Sequence, residues 1–190
     1  MDQELDQLIV VDREDRELNA LSKAVCHDGQ GVCHRAFSVF IFDGQGRVLI
    51  HKRSQFKRLW PEFWSNSCCS HPRWQEPVEK AVTRRVEEEL GMSLSALSFV
   101  YKFEYHASFG EVGSEWEICH VFLARSRSEV KPEPTEIEAW QWVEPHDLGK
   151  EIRENPDRFT PWMKMEWEHL QNHKLVEPYL RNTESGADSV

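Results

Sequence analysis

No apolar run in this chain of 190 residues is long enough to cross a bilayer. The opening Met-Asp-Gln-Glu-Leu-Asp-Gln is acidic and shows none of the basic-then-apolar pattern of a secretory leader. A soluble, cytoplasmic protein is therefore expected. Positive charge is also scarce: 23 Lys and Arg against 33 Asp and Glu leave a net charge of -10. The long-range field of such a protein repels phosphate backbones and anionic headgroups, which argues against nucleic acid or membrane as its main partner. An anionic small molecule would then need a local cluster of cations or a metal. Disulfide staples are not expected either, because the five cysteines are odd in number and two of them, Cys68 and Cys69, are neighbours. There is no internal repeat and no need for a second domain. One domain over residues 1–182, with a polar tail at 183–190, is the expected organisation.

What is present is a succession of short patterned segments. Asp6 to Asp12 reads as a strand, Leu18 onward as mildly helical, and Cys26 to Gly31 as a glycine-bearing surface loop. Ala36 to Asp43 has the aromatic and β-branched density of a buried strand, with Gly44-Gln45-Gly46 turning it into a hairpin with the segment from Arg47 to Ser54. A long loop from Gln55 to Pro72 follows, and long loops rich in aromatic and reactive side chains tend to carry function. A helix is expected from Pro77 to Gly91, with Val78, Val82, Val86 and Leu90 on one face. Leu97 to Ser108, Trp116 to Ser126 and Glu136 to Val143 read as strands, and two helices split at Thr160-Pro161. Strands around one central charged helix predict an α/β (α+β) sandwich with a mixed sheet.

Two constellations carry chemistry. From Ser70 to Met92 the order follows G-x5-E-x7-R-E-U-x-E-E-x-G-U, the Nudix signature, with U a bulky aliphatic residue. Glu76, Arg84, Val86, Glu88, Glu89, Gly91 and Met92 agree. Ser70 stands where glycine is usual, and Arg85 replaces the first glutamate of the core. Glutamates one turn from arginines can set Mg2+ ligands beside a phosphate-binding cation, although a solvated charged helix shows the same composition. The second constellation is His27, His34 and His71 with Glu115 and Glu117, which lie two apart on an expected strand and so share a face. Three imidazoles and two carboxylates suit Mn2+, Zn2+, Fe2+ or Mg2+ if they converge. A histidine taken singly reads as structural.

Taken together, Asn-Ser-Cys-Cys-Ser-His-Pro, Arg-Arg-Val-Glu-Glu-Glu-Leu-Gly, Glu-Trp-Glu-Ile-Cys and Thr-Pro-Trp-Met resemble the type 1 isopentenyl-diphosphate isomerases, a branch of the Nudix superfamily. The likeness runs from about Lys23 to Trp162. It implies a Nudix-like α/β/α sandwich and the interconversion of isopentenyl and dimethylallyl diphosphate through a tertiary carbocation. It implies no flavin. By the same resemblance Lys23, Arg53, Lys57 and Arg85 would grip the diphosphate, and Glu89 would help hold a Mg2+. His27, His34, His71, Glu115 and Glu117 would bind a second divalent metal (Mn2+, Zn2+ or Mg2+). Cys69 and Glu117 would face each other as the proton-transfer pair, with Glu117, tuned by Tyr105, as the expected acid and Trp162 shielding the cation. Trp60 and Trp64 would wall the isoprenoid tail. Cys68 is expected to be a buried neighbour and Cys119 a core residue. The loop between His27 and His34 is expected to order only over substrate. The implied partner is a small isoprenoid diphosphate bound by a monomer or weak homodimer. The alternative reading is a Nudix diphosphatase acting on a prenyl or nucleoside diphosphate, which Arg85 disfavours.

Overall fold

The computed structural model describes residues 6–180, so the polar tail expected at 183–190 lies outside the described residues. β1 (Gln7–Val11) and β2 (Glu17–Ser22) form an N-terminal hairpin, followed by α1 (Lys23–His27). The stretch from Leu18 is thus a strand and not a helix. The Asp12 carboxylate accepts from the backbone N–H groups of Glu14 and Arg16, and this turn folds β2 back on β1. Because β2 is an exposed edge, it lacks the alternation that would mark a strand.

The centre of the sheet is β3 (His34–Phe42), with β4 (Val48–Arg53), β5 (Trp64–Ser65), β6 (Cys68–Ser70), β7 (Ala96–Phe109), β8 (Gly113–Arg125) and β9 (Ile137–Val143) around it. β3 runs parallel to β8 over its whole length, while β7 and β8 form a long antiparallel ribbon. The sheet is therefore mixed, as expected. The hairpin expected between β3 and β4 survives as a single pairing, Phe42 with Val48. β4 diverges to pair with β5 and β9, which opens a slot beside β3 that β6 fills.

Alternation in β3 and β8 divides the core between two faces. Ala36, Phe40 and Phe42 of β3, with Cys119, Val121 and Leu123 of β8, pack under Trp162, Met163, Trp167 and Leu170 of α4 (Pro161–Leu170). Phe37, Val39 and Ile41, with Phe122 and Ala124, pack under α2 (Val78–Leu90). Val82, Val86 and Leu90 of α2 are fully buried, each contributing about 1.5–3 kcal/mol relative to exposure. The helix stops at Gly91, whose φ of 62° is left-handed and whose N–H still reaches the Glu87 carbonyl. α3 (Pro145–Glu154) precedes α4, and a short α5 (Glu177–Leu180) ends the described chain. Helices on both faces of a mixed sheet make the expected α/β/α sandwich. No described helix is long and apolar enough to cross a membrane.

Candidate active site

The site is assembled by strand register. His34 opens β3 and is paired with Glu117 of parallel β8, and Glu117 is in turn opposite Tyr105 of β7. Glu115, two residues earlier on β8, points to the same side. His71 follows β6, held beside β3 by the pairing of Ser38 with Cys69. His27 ends α1, where β8 runs so close that a Cβ on Gly113 would lie 2.2 Å from the His27 carbonyl oxygen. His27 is buried, not part of a surface loop, and the three imidazoles already sit together with ring centroids 4.8–5.1 Å apart.

Hydrogen bonding fixes the tautomers. The Nδ1 of His27 bonds the Lys23 carbonyl and that of His34 the Val32 carbonyl, both at 2.7 Å. A carbonyl only accepts, so Nδ1 of each ring carries a proton and Nε2 is the atom that faces inward. Those two Nε2 atoms and Glu115 Oε2 are buried: Glu115 Oε2 pairs with His27 Nε2 at 2.6 Å, while His34 Nε2 makes no hydrogen bond and reaches only Glu117 Oε1, at 3.5 Å. Buried polar atoms left unsatisfied cost ~1–3 kcal/mol each. With the ligand atoms of all five side chains within 4.8 Å of one another, a divalent cation would satisfy them together. This cluster can hold such a metal.

Glu117 is the junction between the cluster and the rest of the site. Its Oε1 lies 2.8 Å from His71 Nε2 and 3.5 Å from His34 Nε2, while Oε2 accepts from the Tyr105 hydroxyl at 2.7 Å. Burial works to raise the Glu117 carboxyl, but the His34 interactions and the Tyr105 hydrogen bond outweigh it and hold it below the ordinary range. Burial drives the Cys69 thiol the other way, up to about 12, despite nearby Arg53 and Lys57.

Cys69, Glu117, Tyr105 and Trp162 line one cavity of about 350 Å³, together with Lys23, Arg53, Lys57, His27, His71 and Glu115. Its size is that of a small-ligand pocket. Arg53 is fixed in this wall by backbone: Nε donates to the Trp60 carbonyl (2.9 Å) and Nη2 to that of Leu59 (2.8 Å). Trp60 adopts φ of 46° as the chain turns these successive carbonyls onto one guanidinium. Arg53 Nη1 also lies 3.9 Å from Cys69 Sγ, and its guanidinium sits 5.3 Å from the Trp162 ring centroid.

Arg85 and Glu89 are not on the cavity wall. Arg85 donates to Glu88, to Glu89 Oε1 through Nε (3.0 Å) and Nη2 (2.6 Å), and to Glu136 (3.2 Å). As arranged, Arg85 grips carboxylates, and Glu89 spends an oxygen on Arg85 instead of presenting a ready cation site. Glu136, absent from the sequence-based site, reaches the cavity and also accepts from Lys57 at 2.5 Å. Burial alone would raise Glu136, yet Lys57 and Arg85 hold it far below the ordinary carboxylate range. Trp60 and Trp64 do not wall the cavity. Trp60 packs edge-on behind Trp162, with centroids 5.3 Å apart, and the apolar lining comes from Leu59, Phe56 and Trp162. Cys68 and Cys119 are buried in the core, as expected.

The NUDIX domain family model matches residues 33–163 of this chain. Isopentenyl-diphosphate Delta-isomerase 1 of Photorhabdus laumondii is 40% identical over 171 residues, covering 89% of this chain and 97% of the relative. The isopentenyl-diphosphate Delta-isomerase of Clavibacter michiganensis is 35% identical over 191 residues, covering 100% and 98%. Among solved structures, a Deinococcus radiodurans protein superposes with a TM-score of 0.70 at 20% identity, covering 86% of this chain and 98% of its own. A MutT NUDIX hydrolase from Burkholderia pseudomallei gives 0.53 at 27% identity, with 70% and 98% covered.

Proposed function

We infer the chemistry from one premise: the chain belongs to the isopentenyl-diphosphate Delta-isomerase family, within the Nudix superfamily. It is an isomerase acting on isoprenoid diphosphates. We propose that it interconverts isopentenyl and dimethylallyl diphosphate in the cytoplasm, as a single domain working without nucleic acid or membrane. The observation that carries this reading is the shared cavity. One wall offers cations, and two proton-carrying groups, the Cys69 thiol and the Glu117 carboxylate, face the same space.

Lys23, Arg53 and Lys57 bind the diphosphate, with Lys57 transferred from Glu136 to the ligand. Arg85 acts behind them, holding Glu136 and Glu89 in place. Glu89, whose Oε1 accepts from Arg85, would offer its carboxylate to a Mg2+ carried by the diphosphate, a cation that would neutralise part of the ligand's charge. The hydrocarbon end lies against Trp162, whose π face stabilises developing positive charge by about 2 kcal/mol or more once water is excluded.

Isomerisation adds a proton to the terminal alkene carbon, giving a tertiary carbocation, and removes one from the carbon two positions along. Glu117, held by Tyr105, and Cys69 line the same cavity as the proton-transfer pair, one group protonating the terminal carbon and the other taking the proton from the carbon two positions along. In the return reaction the same two groups exchange roles. A divalent metal bound by His27, His34, His71, Glu115 and Glu117 would fix Glu117 against the wall and draw off part of its negative charge. Mg2+, Mn2+ and Zn2+ all suit that donor set.

The test is incubation with isopentenyl diphosphate and divalent metal in deuterated water. Allylic product bearing deuterium is expected, and Cys69→Ala and Glu117→Gln should each abolish it in a folded protein. Turnover retained by either variant sinks the assignment, and release of phosphate or pyrophosphate without isomer identifies a diphosphatase instead.

A further inference from the structure

Ser65, at the end of β5, is fully buried, and its hydroxyl meets four side chains. Trp162 Nε1–H donates to Ser65 Oγ at 3.1 Å, and Ser65 O–H donates to Asn66 Oδ1 at 3.0 Å. The orientation of Asn66 is set from its other end, where Nδ2 donates to the Cys68 carbonyl (2.8 Å) and that of Val39 (3.3 Å). Thr160 Oγ1 lies 3.2 Å from Ser65 Oγ, and Cys69 Sγ lies 3.8 Å away.

A serine hydroxyl has one proton and two lone pairs. With the proton committed to Asn66 and one lone pair to Trp162, the shorter contact to Thr160 takes the second. The Cys69 sulfur packs against this oxygen at 3.8 Å, a contact that limits where the side chain can lie and leaves its S–H free to face the cavity. Asn66 and Thr160 are both fully buried, so this chain of hydroxyl and amide ends in the core. It can hold groups in place but cannot pass protons to solvent.

We propose that Ser65 is a positioning residue for the reaction: one buried oxygen fixes both the Trp162 ring and the Cys69 thiol, and so sets how they face the carbons between them. The other sides of the ring are held by apolar and cation–π contacts with Trp60 and Arg53, which leave sliding in the ring plane to the single polar tether. The inference rests on the roles given above to Cys69 and Trp162. Ser65 touches no substrate-binding cation directly, and Arg53, which it meets only through Trp162 and Cys69, is held independently by the Leu59 and Trp60 carbonyls, so loss of Ser65 should act on kcat and leave KM nearly unchanged.

The experiment compares Ser65→Thr with Ser65→Val, which match each other in shape and differ in the hydroxyl. Ser65→Val should lose about tenfold or more in kcat with KM within about threefold of wild type, as expected for a small misplacement of reacting groups. Ser65→Thr should restore kcat to within a few-fold. In proton–nitrogen correlation spectra, the Trp162 indole N–H resonance, assigned by its absence in Trp162→Phe, should shift upfield in Ser65→Val and hold its position in Ser65→Thr. Full kcat in Ser65→Val, equal losses in the two variants, or a change confined to KM would overturn the proposal. If Ser65→Val does not fold, Ser65→Ala carries the same comparison. Turnover in Cys69→Ala would refute the underlying reading, whereas an inactive Cys69→Ala beside a fully active Ser65→Val refutes this inference alone.

Discussion

Glu166, on the buried face of α4, offers a quantitative test of the packing beneath the site. It is fully buried; Oε1 accepts from the Cys119 thiol at 3.5 Å, and Oε2 has no hydrogen-bond partner. Burial raises its carboxyl from 4.5 to about 8, hydrogen bonds from Ser38 and Cys119 recover only part of the cost, and the charge of Glu117 adds to it. The group holds its proton in the native state and releases it in the unfolded chain. Stability from this source is therefore fully present below about 4.5 and is lost as the pH rises towards 8. Between pH 5 and 8 the loss amounts to something on the order of 3 kcal/mol. Glu166→Gln cannot ionise, so the variant should gain on wild type by about that amount across the interval. How well the new amide is hydrogen-bonded shifts both ends equally and leaves the slope alone. Urea unfolding of both proteins at pH 5, 6, 7 and 8, at constant ionic strength, measures it directly. Stability curves parallel to within ~0.5 kcal/mol would refute the reasoning, because other titrating groups are common to both proteins.

Metal binding should be visible without turnover. At a hundredfold excess of metal over Kd, stabilisation of about 2.7 kcal/mol raises the melting temperature of a chain this size by roughly 5–10 °C; chelator should remove the shift and His34→Ala should never show it. Gly113→Ala places a Cβ 2.2 Å from the His27 carbonyl. It should cost about 1–3 kcal/mol in unfolding free energy and weaken the metal-dependent melting shift, and a neutral result would mean α1 yields freely. Lys57→Met should weaken binding of inorganic pyrophosphate, read by calorimetry, by about tenfold or more, since it removes a cation and leaves Glu136 without that partner.

The parts of this architecture that could be read from sequence are those whose cause is local. Alternation within β8 placed Glu115 and Glu117 on one face, and fourfold spacing on α2 placed Val82, Val86 and Leu90 against the sheet. The burial of His27 was not legible, because the glycines after it mark a surface loop while its burial comes from β8 crossing behind α1. β2 was misjudged because an edge strand has no face that must be apolar. The resemblance implies a diphosphate role for Arg85 but gives no sign of its pairing with Glu136, which lies 51 residues away. Ser65 carried no sequence signal, since its bond to Trp162 joins residues 97 apart. Contacts of that kind are products of topology.

The parallel pairing of β3 and β8 has a consequence for how the protein matures. His34 and Glu117 are adjacent only when strands from distant parts of the chain have joined in register, and parallel pairing needs a long crossover before it returns any contact. A nascent or truncated chain lacking β8 has no Glu115 or Glu117 to complete the cluster. A metal at this cluster would therefore bind only once the sheet has closed, and would hold β3 and β8 in register.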